Sequence, residues 1–402
     1  MANSFSASFR DIWAKEQQTV FYKKNVARQI ADTSHESELV RGDVLKRTYR
    51  SAAGYAKVYT RGSDMTERTL TDTAETLTVD KEYYDFFYVD DHDKLQNNYN
   101  AAVNYGKDGG EMLSQQIDSD VLGEVLNATS TVDDGTIGGT SGNGIALSTS
   151  NVVKTTTAVT KKLKKLNVYG TDKYGTISPE FEDILVQYGA ARETDMGDSI
   201  NRKPEFMDWM GYKLYSTNQT TGTAELALAT DPTANDTVTI SGVTFTFVST
   251  IGSTAGNVLI GASADATRAN LAALINAPAT TTANGVALAT ADADFFTARI
   301  SAVNNDTTNV LTVTAKGVGT LEVSETLTDG TDTWTSAKQK QHLMFGVKGN
   351  PTLVVQQDPS IEFVKAEKRK GYFYQNTILY GVKTYNDNAK QMVNVELNSS
   401  DY

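Results

Sequence analysis

The side chains able to do chemistry are few in this chain, and they stand far apart. There are three histidines, His35, His92 and His342, and no cysteine. No two of the histidines have the spacing that places two imidazoles on one helix face around a metal ion. Without cysteine, thiolate-held zinc, thiol nucleophiles and disulfide staples are excluded. The run Gly138-Gly139-Thr140-Ser141-Gly142-Asn143-Gly144 has the composition of a phosphate-cradling loop. It lacks the closing Gly-Lys-Ser/Thr, however, and no strand leads into it, so a flexible linker is the expectation. The acidic pairs Asp90-Asp91 and Asp133-Asp134 could meet a cation. Helix capping accounts for the first pair and loop polarity for the second. We therefore expect no catalytic residue, no cofactor and no metal.

Two basic clusters remain: Lys161-Lys162 with Lys164-Lys165, and Lys365 with Lys368-Arg369-Lys370. The first interleaves with apolar positions and reads as the solvated face of a helix. The sharper alternative is contact with nucleic-acid phosphates or with acidic patches on neighbouring copies. Such residues bind rather than react, so the elements that carry them matter most.

Composition divides the chain. None of the 19 tyrosines falls between Tyr215 and Tyr372, and lysine is absent between Lys213 and Lys316. The stretch is rich in Thr, Ala, Asp and Gly instead. A change this sharp, entered and left mid-chain, marks residues 222–336 as a domain inserted into another. The body is then 1–221 with 337–402. Of the net charge of −12, the insert holds −8: Arg268, Arg299 and Lys316 stand against eleven acids. Tight binding to nucleic acid through this insert is therefore not expected, and the body is close to neutral. Hydrophobic residues make up 39% of the 402, enough for two or three packed domains. No apolar run approaches the ~20 residues that span a bilayer, and no targeting segment is visible, so no membrane partner is expected.

Periodicity supplies the elements. Residues 5–31 read as one or two amphipathic helices. Residues 49–82 form a two-stranded excursion turning at Arg61-Gly62-Ser63-Asp64, which needs a surface to lie on. A long helix starts at Asp90 or Asp91, with Asp93 in its first turn, and should kink or break at Gly109-Gly110. Residues 129–150 should be a mobile loop. Asn151–Val168 is a second helix, and Ser178-Pro179-Glu180 starts a third. Trp209–Ser216 reads as a strand. Inside the insert, the alternation over Thr237–Val248 gives a hairpin about Ser241-Gly242. An Asp265-capped helix follows, then strands at 296–303, 310–315 and 321–323. Strands near 352–355, 361–363, 372–382 and 392–397 close the chain.

The order of these elements resembles the major capsid proteins of tailed bacteriophages, the Hong Kong 97 type of fold. The resemblance rests on Tyr84-Asp85-Phe86-Phe87-Tyr88-Val89-Asp90-Asp91 entering a long helix through Gln115-Gln116-Ile117-Asp118 and Val121-Leu122. Ser178-Pro179-Glu180, the stretch Gly211–Asn218 and Leu379-Tyr380-Gly381-Val382-Lys383 follow in that order. No single motif is diagnostic, but the order covers the whole body.

The resemblance implies an α+β fold with an inserted small α+β domain. It divides the chain into an N-terminal arm (1–48), an extended loop (49–82) and a peripheral domain with a spine helix (83–150). An axial domain in two parts (151–221 and 337–360) brackets the insert (222–336), and peripheral strands return at 361–402. The insert is expected to project outward. Function would be structural: pentamers and hexamers assembling into an icosahedral head shell around double-stranded DNA, held without sequence specificity. A tail or baseplate protein is the alternative. The implied partners are further copies, a separate scaffolding protein, a portal and a decoration protein. The implied location is the virion, assembled in the bacterial cytoplasm. Arg61, Asp64, Glu67 and Arg68 are the expected contacts of the loop with a neighbouring copy. The resemblance also offers Lys57 with Asn386 or Asn388, and Glu396 as the promoting acid, as candidates for an isopeptide crosslink.

Overall fold

The computed structural model describes residues 23–39, 41–50, 55–67, 69, 71–92, 101–191 and 208–399. Of the helical stretch expected over 5–31, residues 5–22 lie outside the described residues, as do 93–100 of the long helix expected from Asp90 or Asp91 and Arg68; of 23–31, only Ala27–Ile30 is helix. In chain order, the elements begin with α1 (Ala27–Ile30), β1 (Val44–Arg50), β2 (Asp72–Thr78), β3 (Lys81–Asp90) and α2 (Ala101–Gly123). Next come β4 (Ser130–Val132), α3 (Asp134–Ile137), α4 (Val152–Lys165), β5 (Lys173–Ile177) and α5 (Pro179–Ala190). After these stand β6 (Asp208–Trp209), β7 (Tyr212–Ser216), β8 (Thr221–Ala227), β9 (Thr237–Ile240), β10 (Val243–Val248) and β11 (Asn257–Leu259). Helices α6 (Ala264–Asn276) and α7 (Thr290–Arg299) precede β12 (Ile300–Asn305), β13 (Val310–Ala315), β14 (Val323–Glu325) and β15 (Thr333–Trp334). The last strands are β16 (Lys340–Val347), β17 (Thr352–Lys365), β18 (Gly371–Lys383) and β19 (Met392–Asn398).

Three larger sheets are packed around apolar cores, and the ten-stranded one contributes to two of them, one in the body and one in the insert. A ten-stranded sheet runs β12-β13-β8-β16-β5-β7-β6, with β15 on β8, β19 on β16 and β4 on β19. Helices α4 and α5 cover its body half, packing Val159, Leu163, Phe181 and Leu185 with Leu343, Phe345, Val395 and Leu397. Helix α5 starts as the sequence indicates: Ser178 caps Phe181 N, and Pro179 takes the first helical position. A three-stranded sheet, β17-β18-β3, receives α2 through Leu113, Ile117 and Val121 against Leu353, Ile378 and Tyr380. A four-stranded sheet, β11-β10-β9-β14, packs with α6 and α7 around Phe245, Phe247, Leu271 and Phe296. The architecture is α+β.

Several local expectations need correction. Helix α2 runs unbroken through Gly109-Gly110. A Cβ on Gly109 would collide with the side chains of Asp85 and Asn376, and Asn376 Nδ2 donates to Gly106 O at 3.2 Å. The glycine serves close packing of helix on sheet, which outweighs its helix cost of about 1 kcal/mol. Residues 129–150 are a packed knot rather than a mobile loop. Ile145 and Leu147 are buried, and Ile145 bridges Leu397. Asp133 is a reciprocal helix cap with Thr136, not merely a polar loop residue. Burial opposes its charge, but donation from Gly142 N and from Thr136 holds the carboxyl down at about 2.

Trp209–Ser216 is two strands joined at Met210-Gly211, both with positive φ (50° and 82°), as a tight hairpin turn requires. Ser263, not Asp265, caps α6, and Phe296 belongs to helix α7 instead of a strand. Residues 352–365 are one strand, which crosses the expected boundary at 360. The final strand β19 pairs with β16 in the ten-stranded sheet, not with β17 and β18. Likewise β8 pairs with β16 on one edge and β13 on the other, so one sheet is continuous from body into insert.

Candidate assembly surfaces

The extended loop has a seated stem and an unseated tip. Strands β1 and β2 pair antiparallel from Val44↔Thr78 to Arg50↔Asp72. At the stem, Leu77 and Val79 are buried with Leu39, Val354 and Tyr385. The Arg47 guanidinium lies 5.0 Å from the Tyr385 ring, and Lys383 Nζ donates to Thr76 O at 2.6 Å. Beyond the stem this support ends. Tyr55 is 101% exposed, Val58 95% and Met65 81%. The tip closes on a turn in which Ser63 N and Oγ donate to Thr60 O at 3.0 and 2.6 Å, with Gly62 at φ 88°. Lys57 Nζ ties the two arms together, donating to Thr66 O and Glu67 O at 3.1 and 3.3 Å. Arg61, Asp64 and Glu67 are all exposed there.

A second apolar surface lies on the three-stranded sheet. Asp85 and Asn376 face α2, so the alternate residues Tyr84, Phe86 and Tyr88 face away from it. Phe373 stacks on Phe86 at 5.1 Å and meets Tyr88 at 5.2 Å, with Val364 beside it in register. Tyr84 is 72% exposed, and Phe86 and Val364 are also exposed. A lone subunit thus offers aromatic surface on both the loop and this sheet face.

The crosslink candidates do not converge within the chain. Lys57 is bound into its own loop. Asn386 N meets Glu75, and Asn388 is buried, its carbonyl accepting from Asn350 Nδ2 at 2.7 Å. Glu396 sits in β19, paired with Lys340 at 2.6 Å.

Two carboxylates on α2, which sequence reasoning passed over, join the parts. Asp118 Oδ1 accepts from Val26 N at 2.8 Å and from Ala27 N, holding the start of α1. Its burial outweighs these donors and raises the carboxyl to about 6. Asp120 accepts from Lys81 Nζ at 2.9 Å, Tyr380 OH at 2.8 Å and Lys316 Nζ at 3.3 Å. Burial acts to lower Lys81, yet the Asp120 charge beside it prevails and its ammonium is held above the usual range. Around them Gln116 Nε2 donates to Ala298 O at 3.2 Å and Lys23 Nζ to Gly317 O at 2.7 Å. The loop base, the start of α1 and the insert base therefore meet on one turn of one helix. The readable signal was two acids inside the apolar stripe of Ile117, Val121 and Leu122.

The histidines are structural or peripheral. His342 is buried between Thr223 Oγ1 at 2.8 Å and Asn394 Oδ1 at 3.1 Å, and burial pushes its pKa down to about 4. His35 meets Glu38 at 2.9 Å, and His92 is exposed. Among the described residues, no group of three or more His, Asp or Glu is placed to hold a metal ion, and no helix is long and apolar enough to cross a membrane.

No family model and no curated protein matches the sequence. Solved structures do match. A chain from Mycobacterium phage Che8 is similar over 97% of this chain and 98% of its own, with a TM-score of 0.59 at 11% identity. The capsid of cyanophage P-SCSP1u matches over 99% and 95%, with a TM-score of 0.54 at 11% identity. The mature capsid of bacteriophage PhiM1 matches over 97% and 92%, with a TM-score of 0.51 at 8% identity. The chain has the Hong Kong 97-type fold of tailed-phage capsid subunits. The tail or baseplate alternative finds no support in these matches.

Proposed function

We propose that this chain is a major capsid protein, a structural tile that closes into pentamers and hexamers and then into an icosahedral head shell. The observation that carries the reading is the loop tip. Its apolar side chains stand in water while every layer of the subunit has a finished core, so the loop is completed only by another copy. Its receiving surface is the aromatic face of Tyr84, Phe86 and Phe373 on a neighbour, with Arg61, Asp64, Glu67 and Arg68 pairing at the rim. Individual contacts can be weak, because ring closure makes each later contact effectively intramolecular.

In this reading residues 1–48 are the arm, 49–82 the extended loop and 83–150 the peripheral domain with its spine helix. The axial domain comprises 151–221 and 337–360, joined by β19 from the 361–402 segment. The 222–336 insert projects outward. The virion is the site of action. A separate scaffolding protein, a portal, a decoration protein and packaged double-stranded DNA are the partners, with assembly in the bacterial cytoplasm. The role is structural, without catalysis.

Negative-stain microscopy of the full chain, expressed with and without a scaffold, tests this reading. Closed shells or capsomers are the expected products. Tubes or stacked rings would move the chain to the tail, and a monodisperse monomer under all conditions would remove the tile reading.

A further inference from the structure

The lysines of α4 have no role in the fold that accounts for all of them. Residues 135–171 contain five lysines and no acid, in a chain of net charge −12. Two of the five act inside the subunit: Lys154 donates to Ile137 O, and Lys162 to Thr131 O at 2.5 Å. Lys161, Lys164 and Lys165 have neither hydrogen-bond nor ion-pair partners among the described residues. Their i, i+3, i+4 spacing stacks them within one turn of the helix. With Thr157, Thr160 and Met210 they line an open groove of about 570 Å³. The groove's charged lining is ammonium only.

The helix dipole explains part of this, since cations favour a C-terminal turn by ~0.3–1 kcal/mol each. It does not explain why none of the groove's described lining residues is acidic. The other basic cluster makes the contrast. Lys365, Lys368, Arg369 and Lys370 share their hairpin tip with Glu367, and Arg369 lies over the Tyr88 ring at 5.8 Å, next to Asp90 and Asp91. That tip is internally compensated, and the α4 groove is not.

We propose that the α4 groove binds the phosphates of a nucleic-acid backbone, without reading sequence, as the subunit's contact with packaged DNA. The proposal rests on the capsid reading above. Acidic patches of another copy are the poorer occupant, because the insert's carboxylates are largely engaged at home. Asp236 accepts from Thr233 and Thr328, Asp332 from Ala229 and Thr230, and Asp265 from Arg268 and Asn304. A phosphodiester strand instead presents a full charge at every step of about 3.4 Å, so each lysine of the turn can meet one. Three such contacts give weak, salt-sensitive holding, suited to a genome that must leave.

The test measures binding of a mixed-sequence DNA duplex to the full chain by fluorescence anisotropy from low to moderate salt. Three phosphate contacts predict a log–log salt slope of about −2.7, or roughly 40-fold weaker binding at 200 mM than at 50 mM salt. The triple variant Lys161→Gln, Lys164→Gln, Lys165→Gln should lose that slope, whereas Lys368→Gln with Lys370→Gln should keep it. If the triple variant fails to fold by circular dichroism, the single variants replace it, each lowering the slope by about 0.9. Wild-type protein that does not bind DNA, or variants with the wild-type slope, would overturn the proposal. Loss of shells with an unchanged DNA slope would also overturn it and assign the groove to contact between copies. Failure of the capsid reading shows separately, as absence of shells in the wild type.

Discussion

The extended loop and the 222–336 insert both leave the body through β-strands and return to it, yet they treat their apolar side chains in opposite ways. The insert turns Phe245, Phe247 and Phe296 inward until none has measurable exposure, and α6 and α7 close the layer. Buried Arg268 then ties its loops, bonding Leu228 O, Asn304 and Asn309. The loop has two strands and no third layer, so Tyr55, Val58 and Met65 stay in solvent. A two-stranded ribbon cannot bury its own faces. The apolar core of the insert is thus covered within one copy, and the apolar side chains of the loop tip are not. Composition alone did not separate these cases: the insert looked foreign and the loop looked like part of the body.

The sharpest way to break the comparison is to remove the tip. Deleting residues 61–68 should leave thermal unfolding of the monomer unchanged while abolishing closed shells under the microscope. Shells like those of the wild type from that deletion would make the loop dispensable and end its assembly role. The converse change strikes the insert. Phe296 packs edge-on against Phe245 at 5.6 Å with no exposure, so Phe296→Ala should cost about 3–5 kcal/mol in urea unfolding. A loss below 1 kcal/mol would mean that the insert core is loose and the contrast overstated.

Much of this was legible beforehand, for physical reasons. Ser178-Pro179 and the Ser241-Gly242 turn are local signals, and local hydrogen bonds decide them. What escaped was settled by partners distant in sequence. Gly109 looks like a helix breaker until Asp85 and Asn376 arrive beneath it. The 129–150 stretch looks like a linker until β19 supplies a strand for β4 and a bridge for Ile145. The insert boundary is sharp in composition, yet β8 crosses it, because backbone pairing ignores residue type. Of the assembly surfaces, the turn at Arg61–Asp64 was readable. The Asp118–Asp120 node showed only as two acids inside the apolar stripe of α2, and the partners that bury them, Val26, Lys81, Lys316 and Tyr380, are all distant in sequence.

That node gives the next prediction, on the buried carboxyl of Asp118 that holds the start of α1. Asp118 is held at about 6 against 3.8 unfolded, so the native state binds the extra proton. Stability from this group is therefore full below about 4 and is lost as pH rises through 6, by up to ~3 kcal/mol at 1.36 kcal/mol per unit. His342, held at about 4 against 6.5, has the opposite sign: its contribution is present above 6.5 and lost as pH falls towards 4. Urea unfolding from pH 4 to 7 should show the two opposing each other in the wild type. Asp118→Asn should remove the first of these contributions, so that stability falls more steeply on acidification than in the wild type. Parallel profiles for the two proteins would mean that Asp118 does not titrate in this window.

The smallest effect tests the comparison from the side of the monomer. Tyr55 touches solvent on all sides, so Tyr55→Ala removes no buried area from a single copy, and surface changes of this kind stay within about 0.5 kcal/mol. Unfolding of the unassembled chain should therefore not register it. Within a shell the same ring would be covered by a neighbour, and its loss should lower the temperature at which particles fall apart. A variant whose free monomer unfolds earlier would show that Tyr55 already packs at home, and the loop would then be a finished element like the insert. A variant silent in both measurements would confine the contact between copies to Val58, Tyr59 and Met65.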